Sequence, residues 1–151
     1  MDEIWDGVQF SPSFASTLLL FLKANGSSGG KTTFGVSSKN LADSTAVQTI
    51  AHGLGKIPTY VKITAFFLSG AVFQFSVGSS NGTSNESVNG WGNGSSGNSY
   101  GTAYAVDIEN GSAVGQRATV TVDGTNLYIH WSPPGGGAGS GTANFLWETS
   151  G

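Results

Sequence analysis

The chain has two imidazoles, His52 and His130, and no cysteine. Without thiols it has no disulfide framework, no thiolate zinc site and no cysteine nucleophile. A catalytic zinc takes three protein ligands and a structural zinc four. The two histidines plus a carboxylate such as Asp107 would reach three, but nothing in their spacing groups them. His52 stands in Ala51-His52-Gly53-Leu54-Gly55, a turn whose backbone its ring can hydrogen-bond. His130 points away from the apolar face of its own run. Both are read as structural or solvated. Asp107 and Glu109 lie two apart, so on a strand their carboxylates are neighbours on one face. Paired carboxylates can serve a glycosidase or hold calcium, but the plainer reading is a solvated strand face. Serines are abundant, yet none is read as a nucleophile elbow. Lys31-Thr32 lacks the first glycine of a phosphate-binding loop. The expectation is a protein that is not an enzyme, with no catalytic residues, metal or cofactor.

Trp91 is of another kind. In Asn89-Gly90-Trp91-Gly92-Asn93-Gly94 it has glycines on both sides and amides beyond, so periodicity does not make it core. An exposed aromatic flanked by amides suits a sugar. The ring face stacks on C–H groups, and the amides bond the hydroxyls. Asn89, Trp91, Asn93 and Tyr100 are the candidate glycan contacts. The competing reading has Trp91 capping its own loop or packing on a neighbouring subunit.

Strands must position these residues, because helix periodicity is nearly absent. The best helical candidate is Pro12 to Lys23, with Ser11 or Ser13 as its N-cap and Gly26 beyond its end. Elsewhere apolar residues alternate with period two. Val61, Ile63 and Ala65 share a face; so do Phe73, Phe75 and Val77, and then Tyr104, Val106 and Ile108. Ala118, Val120 and Val122 lead through Asp123-Gly124 to Leu127, Ile129 and Trp131, which reads as a hairpin. Ala143, Phe145 and Trp147 close the chain, and shorter strands fit Thr32 to Val36 and Val47 to Ile50. Seven or eight short strands, each with one apolar face, predict an all-β fold. Two antiparallel sheets stack as a β-sandwich or jelly-roll. Asn25 to Gly30, Gly78 to Gly101 and Pro133 to Gly141 are low in complexity, and the middle one reads as a long irregular loop.

The chain's 151 residues fit one domain with an appendage: residues 1–30 as an attachment arm and linker, 31–151 as the sandwich. Charged residues are 10% of the chain, against roughly 25% ordinarily, while Gly, Ser, Thr and Asn supply nearly half. Six scattered basic residues make no stripe for a phosphate backbone, so nucleic acid is excluded as a partner. The longest apolar run, Leu18 to Leu22, is far short of the ~20 residues of a membrane span. Asp2, Glu3 and Asp6 stand where a secretory leader carries positive charge. Small polar residues let identical subunits approach closely, a composition suited to symmetric surface assemblies.

The stretch Gln48-Thr49-Ile50-Ala51-His52-Gly53-Leu54-Gly55-Lys56-Ile57-Pro58-Thr59-Tyr60-Val61-Lys62-Ile63-Thr64-Ala65 resembles a motif of tailed-bacteriophage and prophage tail-fibre or tail-tip C-terminal domains. Lys31 to Lys39, Ala118 to Trp131 and Gly141 to Glu148 fit the same pattern, so the likeness covers about Lys31 to Gly151. It extends more loosely to H-type lectin domains. The resemblance implies a β-sandwich on the particle surface that forms homo-oligomers, expected to be trimers, and contacts host-surface carbohydrate. The arm, with Ile4, Trp5, Val8, Phe10 and Phe14, is expected to dock on another virion protein or a neighbouring copy. A decoration subunit without receptor binding and a non-viral secreted lectin are the alternatives. In physical terms the motif is a tight turn with positive φ at one or both glycines. Pro58 then sets the start of the Val61/Ile63 strand, and Leu54 plugs the sandwich end.

Overall fold

The computed structural model describes residues 30–43, 46–69, 72–92, 96–109 and 114–151. The helix expected over Pro12 to Lys23, the attachment arm and Asn93 lie outside the described residues. Among those residues the alternation builds ten strands. They are β1 (Thr32–Asn40), β2 (Val47–Ala51), β3 (Tyr60–Ser69), β4 (Val72–Ser80), β5 (Asn85–Gly92), β6 (Ser96–Gly101), β7 (Val106–Glu109), β8 (Gly115–Val122), β9 (Asn126–Ser132) and β10 (Thr142–Ser150). A six-stranded sheet has the order β1-β10-β3-β4-β5-β6, and a four-stranded sheet the order β2-β9-β8-β7. Their strand pairings are antiparallel. The fold is all-β with two antiparallel sheets, as the alternation predicts. The loop expected over Gly78 to Gly101 is instead the end of β4, all of β5 and all of β6.

The two sheets share one apolar core. Val61, Ile63, Ala65 and Phe67 of β3 and Phe145 and Trp147 of β10 meet Val120 of β8 and Leu127, Ile129 and Trp131 of β9. The Trp131 and Phe145 rings lie 5.9 Å apart and tilted, a favourable aromatic geometry. This core fills the half of the sandwich under β10 and β3.

The buried side chains that β4 and β5 turn inward are polar, although Val106 and Ile108 of β7, the strand packed against them, belong to the core. Gln74, Ser76, Ser80, Ser87 and Asn89 are buried there. A buried polar group costs stability unless it is bonded, and most of these are. Ser76 Oγ accepts the Asp107 N–H at 2.9 Å, and Ser80 Oγ donates to the Val120 carbonyl at 3.2 Å. Asn85 Oδ1 accepts the Val120 N–H at 2.8 Å. Hydrogen bonds thus tie the two sheets alongside this packing.

The His-Gly-Leu-Gly turn is built as its residues require. Gly53 and Gly55 have φ of 67° and 78°. Leu54 is buried between them. Lys31 Nζ donates to the Gly53 and Leu54 carbonyls at 2.7 and 3.2 Å. The His52 ring, also buried, accepts the Leu54 N–H on Nδ1 at 3.1 Å. Nε2 therefore carries the proton and donates to the Asp123 carbonyl at 3.0 Å. One neutral tautomer fastens the turn to the β8–β9 hairpin. His52→Ala strands the buried Leu54 N–H and the partly buried Asp123 carbonyl and is expected to cost about 2 kcal/mol, seen as a melting point lower by roughly 4–8 °C. An unchanged melting curve would remove the histidine from the turn's support.

Candidate functional site

The outer face of the six-stranded sheet is where the chain departs from an ordinary soluble protein. Phe73, Phe75 and Val77 share a face of β4, as their spacing requires, but it is the outside face. Gln74 and Ser76 point in. Register with β3 decides this. Leu68 stands opposite Phe73, Phe66 opposite Phe75 and Thr64 opposite Val77. On β3 the inward set is already fixed by Val61, Ile63, Ala65 and Phe67, so the partners of its even-numbered residues must face outward. Shifting the pairing by one residue would turn every β4 side chain over.

The same face continues onto the outer strands. Val77 is paired with Val88, and Val88 with Tyr100. Nine large apolar or aromatic side chains lie here: Val36, Tyr60, Phe66, Leu68, Phe73, Phe75, Val77, Val88 and Tyr100, each 37–64% exposed. The rings of Phe75 and Phe73 sit over Gly90 and Gly92, occupying the space a Cβ would take. Glycine at these two positions keeps the face smooth. Among the described residues, charge on this face is confined to one cross-strand row, Glu148, Lys62, Ser79 and Glu86.

At that charged end the face dips. A depression of about 260 Å³ is lined by Tyr60, Lys62, Val88, Tyr100 and Glu86, among others. It runs on towards Asn81, Ser84 and Asn85. Ser79 Oγ donates to Glu86 Oε1 at 3.1 Å, and Tyr100 Oη to Glu86 Oε2 at 3.5 Å. Two aromatic rings, a carboxylate and an ammonium therefore edge one shallow groove. A ring face with hydroxyl and carboxylate partners is what a sugar takes.

The expected glycan residues are not gathered in one place. Tyr100 lies on the outer face, in the groove. Asn89 and Trp91 lie on the inner face of β5, since they pair with Ser76 and Gln74, which point in. Asn89 is 1% exposed, and its Oδ1 accepts from the backbone N–H and hydroxyl of Ser99 at 3.1 and 2.6 Å. The half-buried Trp91 ring rests on Gly97 of β6, its paired neighbour. Asn93 is outside the described residues. Nothing in the sequence singles out Tyr60, Lys62 and Glu86. Each is a common surface residue, and only strand pairing brings them beside Tyr100.

Asp107 and Glu109 correct a second expectation. Their strand face is not solvated. Asp107 is 8% exposed, because β7 is the edge of the smaller sheet and lies against β4 and β5. Arg117 Nε meets Asp107 Oδ1 at 3.3 Å, and Arg117 Nη2 meets Glu109 Oε2 at 2.6 Å. The guanidinium occupies the position between the carboxylates that a cation would take. It also lies 5.3 Å from the centre of the Tyr104 ring. Burial, reinforced by the charge of Glu109, pushes the Asp107 carboxyl up to about 6, against the opposing pull of Arg117 and Asn89. The Asn89 Nδ2 is itself buried with no hydrogen-bond partner among the described residues.

Two runs among the described residues have the G-x-S-x-G spacing of a nucleophile elbow, and one of them, Gly97-Asn98-Ser99-Tyr100-Gly101, lies within β6. The other is Gly78-Ser79-Ser80-Asn81-Gly82. It runs from a strand into a hairpin rather than into a helix, and the buried Ser80 hydroxyl is spent on the Val120 carbonyl. Both histidines are likewise engaged, His130 Nε2 lying 2.9 Å from Thr121 Oγ1. Among the described residues no group of three or more His, Cys, Asp or Glu is placed to hold a metal ion.

No family model, curated protein or solved structure matches the chain.

Proposed function

We propose that the chain is a bacteriophage virion structural protein of the tail-fibre or tail-tip type. It is a binding and assembly module on the particle surface, held to partners through the outer face of the six-stranded sheet. It touches host-surface glycan at the groove between Tyr60 and Tyr100. One observation carries the assembly role: β4 presents Phe73, Phe75 and Val77 outward and keeps Gln74 and Ser76 inside. A monomer rarely exposes a contiguous apolar patch of more than a few hundred Å² unless the patch is meant to be covered. The virion assignment draws on the sequence resemblance and on the turn geometry at Gly53 and Gly55 that its motif requires.

Antibody labelling of particles, viewed by electron microscopy, tests the location. Label at the tail tip supports the reading, label on the capsid moves the chain to the decoration role, and unlabelled particles overturn it. A glycan array tests the contact. The full chain is expected to bind at least one saccharide. Tyr100→Ala is expected to weaken that binding about tenfold, the loss of ~1.4 kcal/mol of stacking. If Tyr100→Ala binds normally while Trp91→Ala does not, the contact returns to the Trp91 side of the strand. A wild type that binds no saccharide removes the receptor role altogether.

A further inference from the structure

We infer that the apolar outer face of the six-stranded sheet, outside the groove between Tyr60 and Tyr100, is covered by the same face of a second copy of this chain. The inference deepens the assembly reading of this face and rests on it. Three observations lead to it.

The first is area. Leaving out Tyr60 and Tyr100, which edge the groove, seven side chains at 37–62% exposure, with ~150–250 Å² available on each aromatic one, leave on the order of 600 Å² of largely apolar surface. That is within the range of about 600–1,000 Å² that each partner contributes to a stable interface.

The second is shape. Pleated sheets pack well against pleated sheets, with side chains interdigitating across about 10 Å. The Phe75 and Phe73 rings cover Gly90 and Gly92, so no β5 side chain stands above this part of the sheet plane. A helix or a peptide would cover only part of such a plane. A second copy brings a plane of the same size and composition, and a symmetric contact needs only a patch that complements itself.

The third is charge. The rows Leu68–Phe73, Phe66–Phe75 and Val77–Val88 hold no ionised group. The charged row at one edge alternates in sign, with Lys62 between Glu148 and Glu86. Two like faces therefore bring no block of like charge together, and no ion need be buried at the centre.

The absence of cysteine makes the test clean. Val77→Cys puts a single thiol at the middle of the face, and Thr49→Cys puts one on the exposed side of β2, on the other sheet. With the full chain and a short bis-maleimide, Val77→Cys is expected to give a cross-linked pair and Thr49→Cys to stay single. Sedimentation of the wild type is expected to show an assembly. Val77→Lys should raise its dissociation constant roughly 100-fold and leave the circular dichroism of the folded subunit unchanged, since Val77 is exposed within the subunit. A wild type that sediments as a monomer overturns the inference, whether residues 1–29 or another protein covers the face. Equal cross-linking from both thiols also overturns it. The outcomes separate from those of the virion reading. Face-to-face cross-linking with unlabelled particles sinks the virion assignment alone, and labelled particles without cross-linking sink the inference alone.

Discussion

Asp107→Asn is expected to melt higher than the wild type at pH 7 and level with it near pH 4. The folded chain holds the Asp107 carboxyl at about 6 against an ordinary 3.8, chiefly through burial and then through Glu109. Between those values the folded state keeps a proton that the unfolded state has released. Stability from this group is therefore complete below about pH 4, falls as pH rises, and is fully lost above about pH 6. Releasing that retained proton by pH 7 costs the folded state on the order of 3 kcal/mol. The amide is neutral at every pH and escapes that loss, so the expected gain at pH 7 is roughly 6–12 °C. Comparing the two proteins at the same pH cancels the other carboxylates. Asp123, held below its usual range first by the Tyr128 hydroxyl, changes stability in the opposite direction and is common to both. Arg117→Leu should move the other way. It leaves two adjacent, largely buried carboxylates without their cation, a loss of about 3–5 kcal/mol at pH 7. Acidification should recover part of that loss as Asp107 takes up its proton. Melting curves at pH 4 and pH 7 decide the matter. A wild type and Asp107→Asn that melt with the same difference at both values would mean that the carboxyl is hydrated and the clamp loose.

The strands were legible where one face is apolar and the other polar. Tyr60 to Ala65, Ala118 to Val122, Leu127 to Trp131 and Ala143 to Trp147 became β3, β8, β9 and β10 because their greasy residues fill the core. β5 and β6 were not legible. Their inward residues are Ser87, Asn89, Gly97 and Ser99 with Trp91 as the one large side chain, and their outward ones include Gly90 and Gly92, so neither face shows an apolar alternation. They read as loop because both faces are made of turn residues. The aromatic cover that makes Gly90 and Gly92 tolerable comes from β4, which single-segment periodicity cannot reveal. β4 itself was found, but period two gives a face without saying which side of the sheet it is on. That information sits in the pairing with β3. The same gap separated Tyr100 from Asn89 and Trp91. Near in sequence, they are divided by the strand's pleat.

Gly78→Ala is expected to abolish the native packing of β4 against β7. Gly78 lies on the inner face of β4, beneath the start of β7. A Cβ there would overlap the Ala105 carbonyl oxygen and come within 2.6 Å of the Glu86 carbonyl oxygen. Both obstacles are backbone, so no side chain can swing aside. Overpacking against movable side chains costs about 1–3 kcal/mol. Here two strands must part, and the loss should reach or exceed the top of that range. The parting also pulls on the Ser76–Asp107 bond, which joins β4 to β7 two residues away. Water admitted at that seam would lower the Asp107 carboxyl towards its ordinary range, so the variant should lose stability and the excess pH dependence together. Gly101→Ala is the control. It lies on β6 with open space where its Cβ would stand, and its unfolding midpoint in urea should stay at the wild-type value. A Gly78→Ala protein with a wild-type midpoint would mean that β7 stands away from β4. The polar side chains between the sheets would then be solvated, and β4 would have no reason to turn Phe73, Phe75 and Val77 outward.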